Sequence, residues 1–193
     1  MAAQFSFLEN AFEGFRYQPA FIEPSDEDAL VTRVRELPFQ EFEFHGYKGR
    51  RRVVSFGWKY EFSGGGQLRK ADEIPEFLLG LRSRAASFAG VGANDFQHVL
   101  VTEYGPGAGI GWHRDKAVFG QVVGVSLLAQ CVLRFRRKAN QKWDRVNVLA
   151  EPRSAYHLTG PARSEWEHSI LRVDSLRYSI TFRTMASDSP SEL

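Results

Sequence analysis

The sequence predicts an α+β protein whose core is a small β-sandwich or jelly roll, with helices supplied mainly by the N-terminal part. From about Asp95 onward, short segments rich in β-branched and aromatic residues follow one another, separated by Gly, Pro, Asn and Asp. Before Asp95, segments with apolar residues at helical spacing are found instead. Many closely spaced short strands are typical of a sandwich or jelly roll.

The first predicted helix lies in EPSDEDALVTRVRELPF, where Ser25 suits the N-cap and Pro38 ends the apolar repeat. The second lies in IPEFLLGLRSRAASFAGVG, where Pro75 suits the first helical position and Gly90 can close the end. Between the two helices, KGRRRVVSFGWKYEFSGGG is rich in β-branched and aromatic residues and ends in a glycine cluster. This segment predicts a strand pair or an irregular flap.

The later strands are predicted at FQHVLVTEY, VVGVSLL, CVLRFRR, VNVLAE, SAYHLTG, HSILRV and LRYSITFR. We therefore expect an N-terminal helical extension with a flap over residues 1–94, a β core over 95–187 and a flexible tail over 188–193. A ligand site in such a core would lie inside the mouth of the barrel.

Composition narrows the class of protein. The chain has 193 residues, which is enough for one domain with a full hydrophobic core. Its net charge of +2 permits a polyanionic partner but is too small to indicate a protein that coats nucleic acid. Cys131 is the single cysteine, so disulfide frameworks and cysteine zinc sites are excluded. The sequence shows neither a signal peptide nor an apolar stretch of membrane-spanning length. We expect a soluble cytoplasmic monomer with no membrane partner.

The segment GIGWHRDK contains a histidine and an aspartate separated by one residue. On an extended segment His113 and Asp115 project to the same side while Arg114 points away. One imidazole and one carboxylate are two-thirds of the facial triad that holds non-haem iron(II). The ordinary alternative is a surface strand that carries both side chains toward water, and this short motif alone does not separate the two.

Four other histidines compete for the third metal position, and their spacing does not choose among them: His45, His98, His157 and His168. His157 lies in a predicted strand and reads more simply as a core or surface residue. His98 is too close upstream to reach the metal without a tight return. His168 is favoured by the segment that follows it.

That segment is LRYSITFR, whose alternate residues divide between two faces. Arg177, Ser179, Thr181 and Arg183 share one face, and apolar residues share the other. A buried arginine is costly without an anion, and its forked geometry suits a dicarboxylate. The alternative is a strand whose arginines simply face solvent.

In order and spacing, these elements resemble the AlkB family of iron(II)- and 2-oxoglutarate-dependent dioxygenases. The family carries N-x-Y, then H-x-D at a fixed interval, then a distant histidine and finally R-x-N-x-T-F-R. This chain has Thr102-Glu103-Tyr104, then H-x-D at that interval, then His168 and RYSITFR. The resemblance covers roughly residues 46–184.

The resemblance implies a double-stranded β-helix (jelly roll) with N-terminal helices and a nucleotide-recognition flap. It implies iron(II), 2-oxoglutarate and O₂, and oxidative dealkylation of N-alkylated (methyl or etheno) bases in DNA, with RNA as a further partner. Iron would be held by His113, Asp115 and His168, and 2-oxoglutarate by Thr102, Tyr104, Arg177, Ser179 and Arg183. Thr102 and Ser179 stand where the family usually shows asparagine, so hydroxyls would replace two amides.

The stretch WKYEFSGGG resembles the Y-T-F-S-G stretch of family members that repair duplex DNA. Carried over, Phe62 would stack on the extruded base, with Tyr60 and Ser63 at its edges and Arg51 near the target strand. The alternative is that Tyr60 and Phe62 form one face of an ordinary strand. Phe44 and Tyr47 lie roughly where duplex-acting members place an aromatic wedge. The alternative is that Phe42 and Phe44, which alternate with Glu41 and Glu43, form the buried face of a short strand.

The sequence leaves the substrate open in one respect. Many DNA-repair members carry an acid two residues after the H-x-D aspartate, and here that residue is Ala117. Preference between methyl and etheno lesions, and between DNA and RNA, is therefore not readable. Two rival functions remain: a non-enzymatic nucleic-acid-binding jelly roll, and a 2-oxoglutarate dioxygenase that acts on a small molecule or a protein.

Overall fold

The computed structural model describes residues 11–44, 47–61 and 66–186, except for the side chains of residues 42–44 and 47–49. Two antiparallel sheets face each other, and a separate hairpin stands beside them. The strands are β1 (Phe15–Gln18), β2 (Gln40–Phe44), β3 (Tyr47–Phe56), β4 (Trp58–Glu61), β5 (Gln67–Lys70), β6 (Phe96–Tyr104), β7 (Ile110–His113), β8 (Phe119–Leu127), β9 (Cys131–Ala139), β10 (Lys142–Ala150), β11 (Ala155–Leu158), β12 (Glu167–Ile170) and β13 (Arg177–Met185). The helices are α1 (Pro24–Val34), α2 (Glu76–Ala89) and α3 (Gly160–Ser164).

The large sheet has the order β1-β11-β8-β13-β6-β3-β2, and the small sheet has the order β10-β9-β12-β7. Strands from both sides of residue 94 share the large sheet. The segment predicted as a strand pair or flap is divided: β3 joins the large sheet, while β4 pairs only with β5, which lies just beyond that segment. This architecture of facing sheets with few helices confirms the predicted α+β jelly roll.

The helix boundaries differ slightly from those predicted. Helix α1 starts at Pro24, with Glu23 in the cap position, because the fixed φ of proline already suits the first helical residue. Ser25 therefore lies inside the first turn, and its prediction as N-cap is wrong. Helix α2 starts at Glu76 with Pro75 as its cap, and Gly90 closes it at a left-handed φ of 73°.

Strand β13 lies between β6 and β8 and separates two apolar clusters. Tyr178, Ile180 and Phe182 on one face belong to the cluster that includes residues of α1 and α2. The opposite face, with Arg177 and Arg183, is directed between the two sheets. The alternation predicted for LRYSITFR is therefore confirmed, with both faces buried.

Helix α1 is tied to the large sheet through the buried side chain of Glu27. Its Oε1 accepts a hydrogen bond from the backbone N–H of Leu128 at 2.8 Å, and its Oε2 accepts one from Nη1 of Arg153 at 3.1 Å. Leu128 and Arg153 both have positive φ, 69° and 63°. One carboxylate thus links the helix to two strained turns of the sheet.

The β4–β5 hairpin stands beside the two sheets, and its role as a nucleotide-recognition flap stays a prediction. Nζ of Lys116 lies 5.2 Å from the ring of Tyr60 in β4, so the hairpin contacts the loop that follows Asp115. Phe62 and Ser63 lie outside the described residues. None of the helices in the described ranges is long and apolar enough to cross a membrane.

Candidate active site

Three potential metal ligands converge where the small sheet faces the large one. His113 ends β7, Asp115 follows two residues later, and His168 lies in β12. His113 and His168 are direct partners in the antiparallel register, with ring centroids 4.2 Å apart. The ligand atoms of all three side chains lie within 4.8 Å of one another. Two imidazoles and one carboxylate on one side form the facial set that suits non-haem iron(II).

The orientation of His113 is set by its own strand. Its Nδ1 lies 2.9 Å from the carbonyl oxygen of Gly111. A carbonyl can only accept, so Nδ1 carries the proton and Nε2 keeps its lone pair for a metal ion.

Burial controls the charge of the three side chains. Loss of solvent lowers the pKa of His113 and lowers that of His168 to about 3, with the neighbouring imidazole adding to the effect on His168. Burial opposes ionisation of Asp115, but the charge and the hydrogen bond of Arg183 outweigh it and hold the pKa of this carboxyl well below its ordinary value. At neutral pH the imidazoles are neutral and the carboxylate is ionised, which is the state that binds metal.

Arg183 contacts the metal-ligand set directly. Its Nη2 lies 3.1 Å from Oδ1 of Asp115, and its Nε lies 3.4 Å from Oδ2. Both side chains are only 10% exposed. The guanidinium therefore neutralises and orients the carboxylate, and its predicted contact with 2-oxoglutarate stays a prediction.

His98 is a site residue that sequence reasoning missed. It is buried, and its Nδ1 lies 3.4 Å from Nη1 of Arg183, opposite it in the register of β6 and β13. Its ring packs on Phe119 at 4.5 Å. Burial and the adjacent Arg183 charge hold the pKa of His98 well below its ordinary value, so the ring is neutral and Nδ1 can accept from the guanidinium. The available signal was the face that His98 shares with Thr102 and Tyr104 in FQHVLVTEY.

Arg177 is fully buried at the other end of the same strand face. Its Nε donates to Oγ of Ser126 at 3.0 Å, and its guanidinium carbon lies 4.9 Å from the centre of the Tyr104 ring. Its Nη1 has no hydrogen-bond partner within the described part of the chain. A buried cationic donor left in this state is costly, and an anionic ligand would satisfy it.

The neighbours of Arg177 complete a polar lining. In the register of β6 and β13, Arg177 is opposite Tyr104, and Ser179 is opposite Thr102. All four side chains are buried. The structure thus brings together four of the five residues predicted to contact 2-oxoglutarate, and the unpartnered Nη1 donor of Arg177 beside hydroxyl groups fits a carboxylate.

Two arginines outside the predicted set hold the loop that carries Asp115. Arg163 of α3 donates from Nε to the carbonyl oxygen of Gly120 at 2.9 Å and from Nη2 to that of Phe119 at 2.7 Å. Arg114 donates to the carbonyl oxygen of Ser164 at 3.1 Å. Helix α3 and this loop are thereby fastened to each other.

The remaining histidines do not join the metal-ligand set within the described ranges. His157 is buried toward helix α2, with Nε2 2.8 Å from Oε1 of Gln121 and its ring 6.0 Å from that of Phe88. His45 lies outside the described residues. Of the predicted substrate contacts, Arg51 is half-buried opposite Tyr104 between β3 and β6, and burial lowers its pKa.

Comparison with known proteins decides the family. The model of the 2OG-Fe(II) oxygenase superfamily matches residues 14–183. The chain belongs to this superfamily. Its cofactors are iron(II), 2-oxoglutarate and O₂, and the histidine-aspartate-histidine set and the orphaned donor of Arg177 fit them.

Curated relatives place this oxygenase in the AlkB family. It is 27% identical over 202 residues to the "Alkylated DNA repair protein ALKBH8 homolog" of Arabidopsis thaliana, covering 86% of this chain and 56% of the relative. It is 30% identical over 159 residues to the mouse "Alpha-ketoglutarate-dependent dioxygenase alkB homolog 7, mitochondrial", covering 80% and 66%. The oxygenase thus spans between about half and two-thirds of the length of these relatives.

Solved structures agree on the fold. OsALKBH1 superposes with a TM-score of 0.65 at 17% identity over 89% of this oxygenase and 98% of that chain. A prolyl-4-hydroxylase of Pseudomonas putida gives 0.61 at 16% identity over 96% and 98%. The epimerase SnoN from nogalamycin biosynthesis gives 0.63 at 13% identity over 97% and 85%.

Proposed function

We propose that this oxygenase removes alkyl groups from the nitrogen atoms of DNA bases, both methyl and etheno adducts, with RNA as a second substrate to be tested. The observation that carries the proposal is the flap: the β4–β5 hairpin lies against the metal-bearing loop through Tyr60 and Lys116. The name of the Arabidopsis relative refers to alkylated DNA repair, which supports the same class of substrate. A cytoplasmic location and a monomeric state stay sequence-based predictions.

In this proposal the polar residues between the sheets divide into two groups. His113, Asp115 and His168 hold iron(II), while Arg177, Arg183, Tyr104, Thr102 and Ser179 receive 2-oxoglutarate. The bound cofactors would couple decarboxylation of 2-oxoglutarate to oxidation of the adduct. A methyl carbon would be hydroxylated and leave as formaldehyde, whereas an etheno double bond would be oxygenated, take up water and leave as a dialdehyde. Arg177 supplies the buried cation for a carboxylate. Arg183 keeps Asp115 ionised and oriented.

The base would be held between the flap and the metal loop. Tyr60 is half-buried beside Lys116, and the accessible part of its ring can contact an inserted base, with Phe62 and Ser63 of the same segment completing the pocket. Arg51 would contact the target strand. Ala117 is exposed and small, so no acid at this position selects cationic methylated bases over etheno adducts. This is why both lesions belong to the proposal.

The wedge expected at Phe44 and Tyr47 keeps its status as a prediction. Phe44 and Tyr47 are partners in the antiparallel register of β2 and β3. Their side chains lie outside the described set.

A panel of alkylated single- and double-stranded oligonucleotides tests the proposal. Each is incubated with the oxygenase, iron(II), 2-oxoglutarate and O₂, and mass spectrometry follows both the base and the formation of succinate. Dealkylation should require all cofactors and be lost in His168→Ala. If 2-oxoglutarate is consumed without any change in DNA or RNA, the substrate is a small molecule or a protein instead. If neither reaction occurs with iron bound, the non-enzymatic binding function gains support.

A further inference from the structure

The outer face of the small sheet carries tryptophans and arginines in contact with one another. The guanidinium carbon of Arg136 lies 4.4 Å from the ring centre of Trp112 and 4.4 Å from that of Trp143. Arg134 lies 4.8 Å from Trp112. We call Trp112, Arg134, Arg136, Trp143 and Arg145 the Trp-Arg face.

Strand pairing places these residues on one side of the sheet. Arg145 of β10 is opposite Arg136 of β9, while their neighbour Phe135 is buried between the sheets. Nε of Arg136 donates to Oε2 of Glu167 at 2.6 Å, and Nε of Arg134 donates to Oγ of Ser169 at 2.9 Å. The guanidinium groups are therefore held rigidly, which lowers the entropy lost when a ligand binds.

Charge and exposure indicate the chemistry of the partner. On the described part of this face, cations outnumber acids: Arg134, Arg136, Arg145 and Lys138 against Glu167. Trp143, in the edge strand β10, is 41% exposed. An acidic peptide would need the charge alone, whereas a single-stranded nucleic acid uses both features, since phosphates contact cations and bases stack on aromatic rings.

The position of the face relative to the metal ligands suggests which part of a nucleic acid reaches it. Trp112 immediately precedes His113, and Glu167 immediately precedes His168. Strand β7, which carries Trp112, is an edge strand of the small sheet. A strand whose target base enters the site can therefore pass this edge and continue onto the outer face.

We propose that the Trp-Arg face binds single-stranded DNA that flanks the target base. This inference rests on the proposed function and adds a second contact surface to it. The phosphates lie along Arg145 and Lys138, and one base stacks on Trp143.

Binding of fluorescently labelled oligothymidylates of about 5 and about 20 nucleotides to the full chain tests the face, because the longer strand can contact the active site and the face at the same time. Trp143→Ala should weaken binding of the longer strand about tenfold, and Trp143→Phe should restore most of it, since stacking needs only an aromatic ring. Arg145→Ala should reduce the slope of log affinity against log salt by about 0.7. Arg33→Ala on α1, which removes an exposed arginine remote from the face, is the matched control and should change neither quantity.

Several outcomes would overturn the inference. Unchanged affinity of Trp143→Ala and Arg145→Ala for the longer strand would do so. Tighter binding of oligouridylate would assign the face to RNA, and equal binding of an acidic peptide, insensitive to Trp143→Ala, would assign it to a protein. The proposed function is judged separately by dealkylation of a short oligonucleotide of about 5 nucleotides that carries one N-alkylated base. If dealkylation fails while DNA binding still depends on Trp143, the proposed function is rejected, but the Trp-Arg face remains a binding surface for single-stranded DNA.

Discussion

Arg183 and Asp115 form a buried ion pair at the metal-ligand set, with Nη2 and Oδ1 3.1 Å apart and both side chains 10% exposed. The arginine comes from a central strand of the large sheet and the aspartate from the loop after β7. The pair therefore fastens a ligand on a loop to the most deeply buried part of the fold. It also explains how a buried carboxyl stays ionised between two neutral imidazoles.

Arg183→Ala should destabilise the protein and weaken 2-oxoglutarate binding. Removing one partner leaves the buried Asp115 charge uncompensated, which typically costs about 3–5 kcal/mol. Urea denaturation measures the free energy of unfolding, and calorimetry on the manganese form measures the 2-oxoglutarate dissociation constant. Arg69→Ala, which removes an exposed arginine paired with Glu61, is the control. An unchanged dissociation constant would reject any role of Arg183 toward the co-substrate.

His98 should act as a positioning residue for Arg183. His98→Leu removes the acceptor at Nδ1, so the guanidinium loses one of its anchors and Asp115 becomes less well oriented. Loss of such outer contacts typically weakens metal binding about 10–100-fold. Iron(II) affinity, measured by competition with a chelator, should fall in His98→Leu and recover in part in His98→Asn, whose amide oxygen can accept. If the native protein and both variants bind iron(II) with equal affinity, His98 contributes only to packing of the core and does not position Arg183.

Replacing His168 by alanine should abolish iron-dependent turnover, because it removes one of three ligands that converge within 4.8 Å. His157→Ala is the matched control, since His157 is also buried but lies toward α2, away from the metal-ligand set. Succinate formation and circular dichroism are measured on both variants. Full activity of His168→Ala combined with inactivity of His157→Ala would refute the ligand assignment.

His157 should make stability depend on pH. Burial, aided by the positive charge of Arg16, lowers the pKa of His157 to about 4, compared with 6.5 for an ordinary histidine. As the pH falls below about 6.5, the unfolded chain takes up a proton that the folded protein does not, so stability is lost between about pH 6.5 and pH 4. Above pH 6.5 this contribution is fully retained.

The variant His157→Gln isolates this effect from those of the other buried histidines. The difference in unfolding free energy between the native protein and the variant should be constant above about pH 6.5 and shift in favour of the variant as the pH falls toward 4. Chemical denaturation at a series of pH values measures it. A difference that does not vary with pH would show that His157 titrates normally in the folded state.

The order of the elements and the identity of the central site residues could be predicted because both depend on short-range patterns. FQHVLVTEY was predicted as a strand and is β6 from its first residue to its last. H-x-D and RYSITFR likewise keep their chemistry within a few residues, and their order and spacing together carried the resemblance to the AlkB family that indicated His113, Asp115 and the arginine-bearing strand. Short elements without such a pattern, β1 and α3, were not predicted.

Tertiary structure alone decided the contacts between distant segments. The pairing of β6 with β13 sets His98 against Arg183, and the pairing of β7 with β12 sets His113 against His168. The arginine expected to serve only the co-substrate also holds Asp115, and the Trp-Arg face exists only because β7, β9 and β10 lie in one sheet. The physical reason is that side-chain alternation is local to a strand, whereas register depends on which strands pair, and a shift of one residue would send every one of these side chains to the opposite face.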